Sequence, residues 1–343
     1  MRERFVACML GGAIGDALGY TVEFMHWPQI ESWFGPGGIR EPQTDSRTGR
    51  ALISDDTQMS LFTLDGMVWA YTCGLPYATG GLYPSYLRWL YTQTGAIPDI
   101  SLLKMQQHES SGSILSQKEL FFRRAPGTTC LSALRSGKIG TMEDPINDSK
   151  GSGGLMRAAS IGLFLHADPA YAFRTGAQAA AITHGHPSGY LSAGVFAAII
   201  ALLICNMKLS VACDEAMAML RRYEGYREVQ QAVDKARELC AGTLQTEHAI
   251  RKLGGGWVAE EALSIGLYCA LKGMGFKQAV CAAVNHDGDS DTTGTICGHI
   301  LGAADHCHIP REWSDKLELS SYIELRSIEL CTLREQKRVS VPS

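Results

Sequence analysis

His286-Asp287-Gly288-Asp289-Ser290-Asp291-Thr292-Thr293-Gly294 runs directly into Thr295-Ile296-Cys297-Gly298-His299-Ile300-Leu301-Gly302-Ala303. The second half reads as a helix. Its glycines, Gly294, Gly298 and Gly302, recur every four residues and so share one face. Glycine is a poor helix former, so three on one stripe imply a neighbouring helix at very close range. The same spacing occurs at Gly11, Gly15 and Gly19, inside a stretch from 4 to 20 that also reads as a helix. Two tightly packed interior helices follow. The spacing leaves open whether they pack on each other; if they do, Asp16 comes near Asp289 and Asp291.

The first half of the quoted stretch carries the chemistry. Asp287, Asp289 and Asp291 alternate with Gly, Ser and Thr. Oxygen-only ligands at that density suit a hard cation such as Mg2+ or Mn2+, and Gly288 permits a tight turn between them. A calcium-type structural loop or an acid-rich helix N-cap would read similarly, although the twelve-residue EF-hand pattern is absent. Upstream, Ile53-Ser54-Asp55-Asp56-Thr57-Gln58-Met59 opens another helix, with Met59, Phe62, Leu64, Met67 and Val68 as its apolar stripe. One acid there would be an ordinary cap at the positive end of a helix. Two adjacent acids flanked by hydroxyls, with a second cluster downstream, read better as metal ligands.

Other segments are less decisive. Residues 26–50, rich in Pro and Gly, read as a long loop of the kind that covers sites, with Glu23 just before it. Residues 74–102 read as a helix bounded by Gly and Pro, and 108–150 as a polar stretch. That stretch ends in Asp148-Ser149-Lys150-Gly151-Ser152-Gly153-Gly154-Leu155-Met156-Arg157, a Gly/Ser loop feeding an expected helix over 156–165. Exposed backbone N–H groups and a helix N-terminus suit a pyrophosphate, although a flexible turn has the same composition and no standard nucleotide motif is matched. Thr183-His184-Gly185-His186-Pro187 interrupts helical sequence over 169–182 and 190–205. Its histidines are two apart, not the four of a zinc HExxH helix. Charged helices are expected over 213–253 and an apolar one over 258–272, after Gly254-Gly255-Gly256-Trp257.

The 343-residue chain has a net charge of −4, so no nucleic-acid footprint shows. Its eleven cysteines lack CxxC pairs, as expected of reduced thiols in the cytosol. The N-terminal apolar run is short and broken by Asp16, which argues against a signal peptide. The run from Tyr190 to Cys205 is too short and too rich in Ala and Gly for a membrane span. No strand-like alternation and no linker appear. The expectation is an all-α fold: one compact helical domain over 1–335, with a tail over 336–343.

In this order, Gly12-Ala-Ile-Gly-Asp-Ala-Leu-Gly19, Ser54-Asp-Asp-Thr57, Gly151-Ser-Gly-Gly-Leu-Met-Arg157, Thr183-His-Gly-His-Pro187, Gly254-Gly-Gly-Trp257 and Gly288-Asp-Ser-Asp-Thr292 resemble the ADP-ribosylglycohydrolase family. The forms around His286 and Thr183 look most like its ADP-ribosylarginine hydrolase branch. The resemblance implies a compact all-α domain with two divalent cations, Mg2+ or Mn2+, at the bottom of a cleft. It implies metal ligands at Ser54 (or Thr57), Asp55, Asp56, Asp289, Asp291 and Thr292, and matches Glu23 to a glutamate on a flap. Ser149, Gly151, Ser152 and Gly153 would cradle diphosphate and ribose, and His184 would contact the ribose side. Asp16 and Met156, inside matched motifs, complete the candidate substrate-binding set. Ser152 departs from the family, which often has Asn there.

The expected reaction is hydrolysis of an ADP-ribosylated protein side chain, most plausibly arginine, with ADP-ribose as product. Glu23, Asp56 and Asp291 are the catalytic candidates, either Asp serving as base. Serine-linked, polymeric or O-acetyl conjugates are the alternative substrates. A non-catalytic ADP-ribose binder, or a protein that occludes a transferase through an arm in 26–50 or 104–150, is the alternative class. Neither a nucleic-acid nor a membrane partner is expected.

Overall fold

Where two helices both offer glycine at every fourth position, their backbones can touch. The computed structural model describes residues 1–96, 113–304 and 308–339, with side chains to residue 335. Among these residues every regular element is a helix. First come α1 (Arg2–Tyr20), α2 (Trp27–Phe34), α3 (Asp55–Cys73) and α4 (Tyr83–Thr94). There follow α5 (Thr128–Arg135), α6 (Ala159–Phe164), α7 (Pro169–Ala181) and α8 (Pro187–Ile204). Next are α9 (Leu209–Leu220), α10 (Arg227–Ala241), α11 (Thr246–Leu253) and α12 (Ala259–Leu271). The last are α13 (Phe276–Val284), α14 (Ser290–Ala303), α15 (Arg311–Ser314) and α16 (Ser320–Val339). No strand forms among the described residues; isolated bridges join Ala51 to Leu317 and Gly151 to Val258.

The glycine stripes of α1 and α14 face each other. A Cβ on Gly15 would lie 2.0 Å from the Gly294 carbonyl oxygen, one on Gly298 2.0 Å from that of Gly11, and one on Gly302 2.1 Å from that of Ala7. Backbone touches backbone along the whole interface, so the question that spacing left open is settled by direct pairing. The C-terminal end of α1 therefore lies beside the N-terminal end of α14.

Around this pair stands a broad apolar core. Helix α8 is hydrophobic on every side, as a central helix must be. By length and composition it could cross a membrane, but 89% of its apolar window is buried inside the protein. Helices α6, α7, α9, α12 and α14 pack around it. Its first turn holds Pro187, as expected, with His186 as N-cap accepting from the Ser188 N–H. Buried charge ties the C-terminal helix to the rest: Asp65 pairs with Arg88 at 2.6 Å and Arg326 at 3.2 Å. Arg124 reaches Glu318 with two bonds, 2.7 and 3.0 Å, and the Ile53 carbonyl at 2.9 Å.

Three expectations need correction. The loop expected over 26–50 contains α2, because Pro28 occupies its first turn and the Gln29 side-chain oxygen accepts from the His26 N–H at 2.9 Å. The helix expected from 156 begins at Ala159; Ser152–Gly154 is a 3-10 turn that separates the Gly/Ser loop from it. The helix expected over 74–102 is a π-helical turn, Tyr77–Leu82, followed by α4. Its remainder past residue 96 and the start of the polar stretch at 108–112 lie outside the described residues.

Candidate active site

The first turn of α3 is built from both sides. Ser54 is its N-cap, accepting from the Asp56 N–H at 3.1 Å. Asp16 on α1 accepts from the Ser54 N–H at 3.0 Å, the Thr57 N–H at 3.1 Å and the Thr57 hydroxyl at 2.5 Å. This carboxylate is fully buried. Expected to touch substrate, Asp16 instead stands behind the cleft and fastens α3 to α1. The Thr57 hydroxyl is engaged with Asp16, whereas that of Ser54 faces the first turn of α3. Asp55 accepts from the Gly127 N–H at 3.1 Å. Asp56 keeps one buried carboxylate oxygen, Oδ2, without a partner.

The start of α14 answers it across the cleft. Asp289 is the N-cap residue; its N–H donates to the Gly255 carbonyl at 2.8 Å, and its Oδ2 accepts from the Ser152 hydroxyl at 2.6 Å. Asp291 accepts from the Thr292 N–H at 2.9 Å. Glu23, just past α1, brings a carboxylate oxygen within 4.8 Å of oxygens of Asp289 and Asp291, and all three residues are buried. Its Oε2 has no partner. Asp287 is the exception among the three acids of this stretch. It turns outward, accepting from the Trp27 N–H at 2.5 Å and lying 3.7 Å from His26, so it holds α2 in place.

Each of these acids pays for burial beside others. Burial, then repulsion from Asp291, raises Asp16 to about 7; burial with Asp291, Asp289 and Asp55 raises Glu23 to about 10. Asp55 and Asp56 stand well above the ordinary carboxylate range through burial and Asp291, and Asp291 through burial and Asp289. Asp289 is raised too, by burial, against the pull of the Ser152 and Thr292 bonds. The donor set is all oxygen, and two carboxylate oxygens are buried without partners. A divalent cation supplies the charge that such a set lacks, so the residues fit a hard metal.

The cluster floors a cleft of about 700 Å³. Gly151, Ser152, Gly153, Met156 and His184 form one wall, and Thr292 lines it beside the acids. That wall is held by the Lys150 carbonyl, which accepts from the Ala259 N–H at 2.8 Å. A Cβ on Gly153 would meet the Cys130 sulfur at 2.9 Å, so the loop lies flat on its support. His184 contacts the Thr183 hydroxyl through Nδ1 at 2.8 Å. Burial, and then Arg157, lower its pKa to about 3, so its imidazole is neutral. Ser149 does not line the cleft; its hydroxyl lies 3.2 Å from that of Thr129. Ser54 is fully buried and does not line the cleft.

Several wall residues carried no recognisable sequence signal. The loop before α5 contributes Arg123 and Gly127, and the first turn of that helix Thr129 and Cys130. In that loop Ala125 has φ 50°, ahead of Pro126. Trp257, quoted within a motif but given no role, and Phe24, which follows Glu23, form the rim.

A sequence model described as ADP-ribosylglycohydrolase matches residues 1–339. An uncharacterized protein of Archaeoglobus fulgidus is 27% identical over 338 residues, covering 97% of both chains. The ADP-ribosyl-[dinitrogen reductase] glycohydrolase of Rhodospirillum rubrum is 24% identical, covering 95% of this chain and 94% of its own. Among solved structures, a chain of an ADP-ribosylglycohydrolase-related protein complex superposes with a TM-score of 0.65 at 22% identity, covering 97% of this chain and 98% of that one.

Proposed function

Because the chain belongs to the ADP-ribosylglycohydrolase family, we propose that it releases ADP-ribose from modified protein side chains, and that the bond it cuts joins ribose to arginine. The family acts on ADP-ribose conjugates and depends on metal. The finer reading has two supports. The Rhodospirillum relative is named for a protein conjugate, and the motifs around His286 and Thr183 look most like the arginine-specific branch.

One observation carries the proposal: two acid-bearing helix starts, α3 and α14, converge with Glu23 on the floor of a cleft that a Gly/Ser loop walls. Asp55, Asp56, Asp289 and Asp291, with Ser54 and Thr292, would hold two divalent cations, Mg2+ or Mn2+. When bound, such ions fix ribose hydroxyls and make water a better nucleophile near neutral pH.

The chain's own residues supply the rest. Gly127 and Ser152 orient Asp55 and Asp289. The flat Gly151–Gly153 wall lets backbone N–H groups approach a diphosphate. Neutral His184 serves as a hydrogen-bonding partner and not as a charge. Water's oxygen bonds to the anomeric carbon as the carbon–nitrogen bond breaks, its electron pair staying with the guanidino nitrogen. The transition state is oxocarbenium-like. Of the two base candidates, Asp56 has the unpartnered oxygen, and we assign it the water proton. The reduced cysteines fit a reducing compartment, and we place the enzyme in the cytosol. Asp55→Ala, Asp56→Ala and Asp291→Ala should each lower turnover at least ~100-fold while helical circular dichroism stays native. Full activity after EDTA treatment would overturn the proposal.

A further inference from the structure

Two of the large exposed apolar side chains stand at the mouth of this cleft: Phe24, 71% exposed, and Trp257, 49% exposed. Their rings are near-parallel, 24° apart, with centroids separated by 6.4 Å. Phe173 and Tyr223 show what packed rings look like here, at 21° and 4.8 Å. The rim pair is 1.6 Å wider by that comparison (6.4 less 4.8), so its faces are only loosely covered by each other.

Both rings are tied to the acid cluster. Phe24 follows Glu23 directly, so seating its ring places that carboxylate. Trp257 follows a turn whose Gly255 carbonyl accepts from the Asp289 N–H at 2.8 Å. A Cβ on Gly256, which has φ +79°, would meet the Thr293 methyl at 2.9 Å. The rim and the acid-bearing loop are thus one rigid unit on that side.

We propose that Phe24 and Trp257 are the leaving-group clasp, taking the guanidinium of the modified arginine against their aromatic faces. The proposal rests on the arginine reading given above and names the residues that enforce it. A guanidinium is planar, weakly hydrated and always charged, and it stacks on aromatic faces. A serine hydroxyl is small and neutral and gains nothing from such faces. Trp33 is also exposed, at 76%, but it does not line this cleft.

The test uses the metal-loaded enzyme and ADP-ribosylarginine peptide, with agmatine, a free guanidinium compound, as competing inhibitor. Wild type is compared with Phe24→Ala, Trp257→Ala and Trp257→Phe. In Trp257→Ala we expect KM and the agmatine inhibition constant to rise together, about tenfold, with kcat changed far less. Trp257→Phe should recover most of the agmatine sensitivity. Unchanged agmatine inhibition in both alanine variants would overturn the clasp. So would a loss confined to kcat, since that marks a purely structural effect passed through Glu23. Failure of the underlying reading looks different: wild type itself would release nothing from the arginine peptide, which removes the clasp's ligand as well.

Discussion

Replacing Gly15 by Ala tests how the fold sets the site. The added Cβ would sit 2.0 Å from the Gly294 oxygen and 2.3 Å from its carbonyl carbon, against an ordinary contact of about 3.5 Å. Backbone, not a flexible side chain, must give way. Overpacking costs ~1–3 kcal/mol, and the rigid partner argues for the upper end. Against this, Gly→Ala inside a helix returns ~1 kcal/mol of propensity. The net is a loss of about 2 kcal/mol. With unfolding entropy of roughly 2.1 cal/mol/K per residue, a chain of this length loses about 1.4 °C of Tm per kcal/mol, so Tm falls by about 3 °C. Activity should fall further. The neighbouring Asp16 fastens the first turn of α3, so parting α1 from α14 moves Asp55 and Asp56 relative to Asp289 and Asp291, and a shift of about 1 Å can cost ~100-fold. Gly242→Ala is the control: its Cβ would sit at an ordinary 3.5 Å from the Leu239 oxygen, at φ −79°. Differential scanning fluorimetry and metal-dependent ADP-ribose release read both effects. Equal Tm and equal activity in the two variants would refute the close-packing argument.

Ser152→Ala removes the donor to Asp289 and should weaken apparent metal affinity by ~10-fold or more, read by titrating activity with Mn2+; an unchanged midpoint would separate Ser152 from the acid cluster. Arg123 is the one cationic Lys or Arg side chain among the described residues lining the cleft. Arg123→Ala should raise KM several-fold with kcat nearly kept, since its charge would meet the diphosphate; equal KM values would place it outside the binding path. Stability should depend on pH in a definite direction. Asp16, at about 7, and Glu23, at about 10, hold protons in the folded chain that the unfolded chain releases near pH 4. Their contribution is therefore full below about pH 4 and is lost as pH rises through about 7 and then about 10. Metal-free protein should lose Tm between pH 5 and 9, and added Mg2+ should reduce that loss; a Tm that rises over this range without metal would contradict the assignment.

Much of this was legible in the chain because it is written in local rules. Ser54 caps α3 and Pro187 opens α8, as short-range chemistry requires. The two glycine stripes announced close contacts by their period, but period alone does not name a partner, and only tertiary packing pairs Gly15 with Gly294. The acidic stretch shows the limit more sharply. Asp287, Asp289 and Asp291 look alike in sequence, yet Gly288 packs so tightly on Gly255, 1.9 Å from its oxygen to an added Cβ, that the chain turns there and Asp287 faces outward. Asp16 sat inside a matched motif, but its three donors come from 38 to 41 residues away, a link no local pattern encodes. Helix α2 was hidden by the surrounding Pro and Gly, even though Pro28 stands where a helix welcomes it. Gly127, which orients Asp55, had no signal because it acts through its backbone N–H.

The most direct measurement is release of free ADP-ribose from arginine-ADP-ribosylated protein, with Mg2+, with Mn2+ and with EDTA, beside a serine-linked control. The account predicts metal-dependent release from the arginine conjugate, abolished by EDTA and by Asp56→Ala. Release that survives EDTA, or release from the serine conjugate alone, would contradict it.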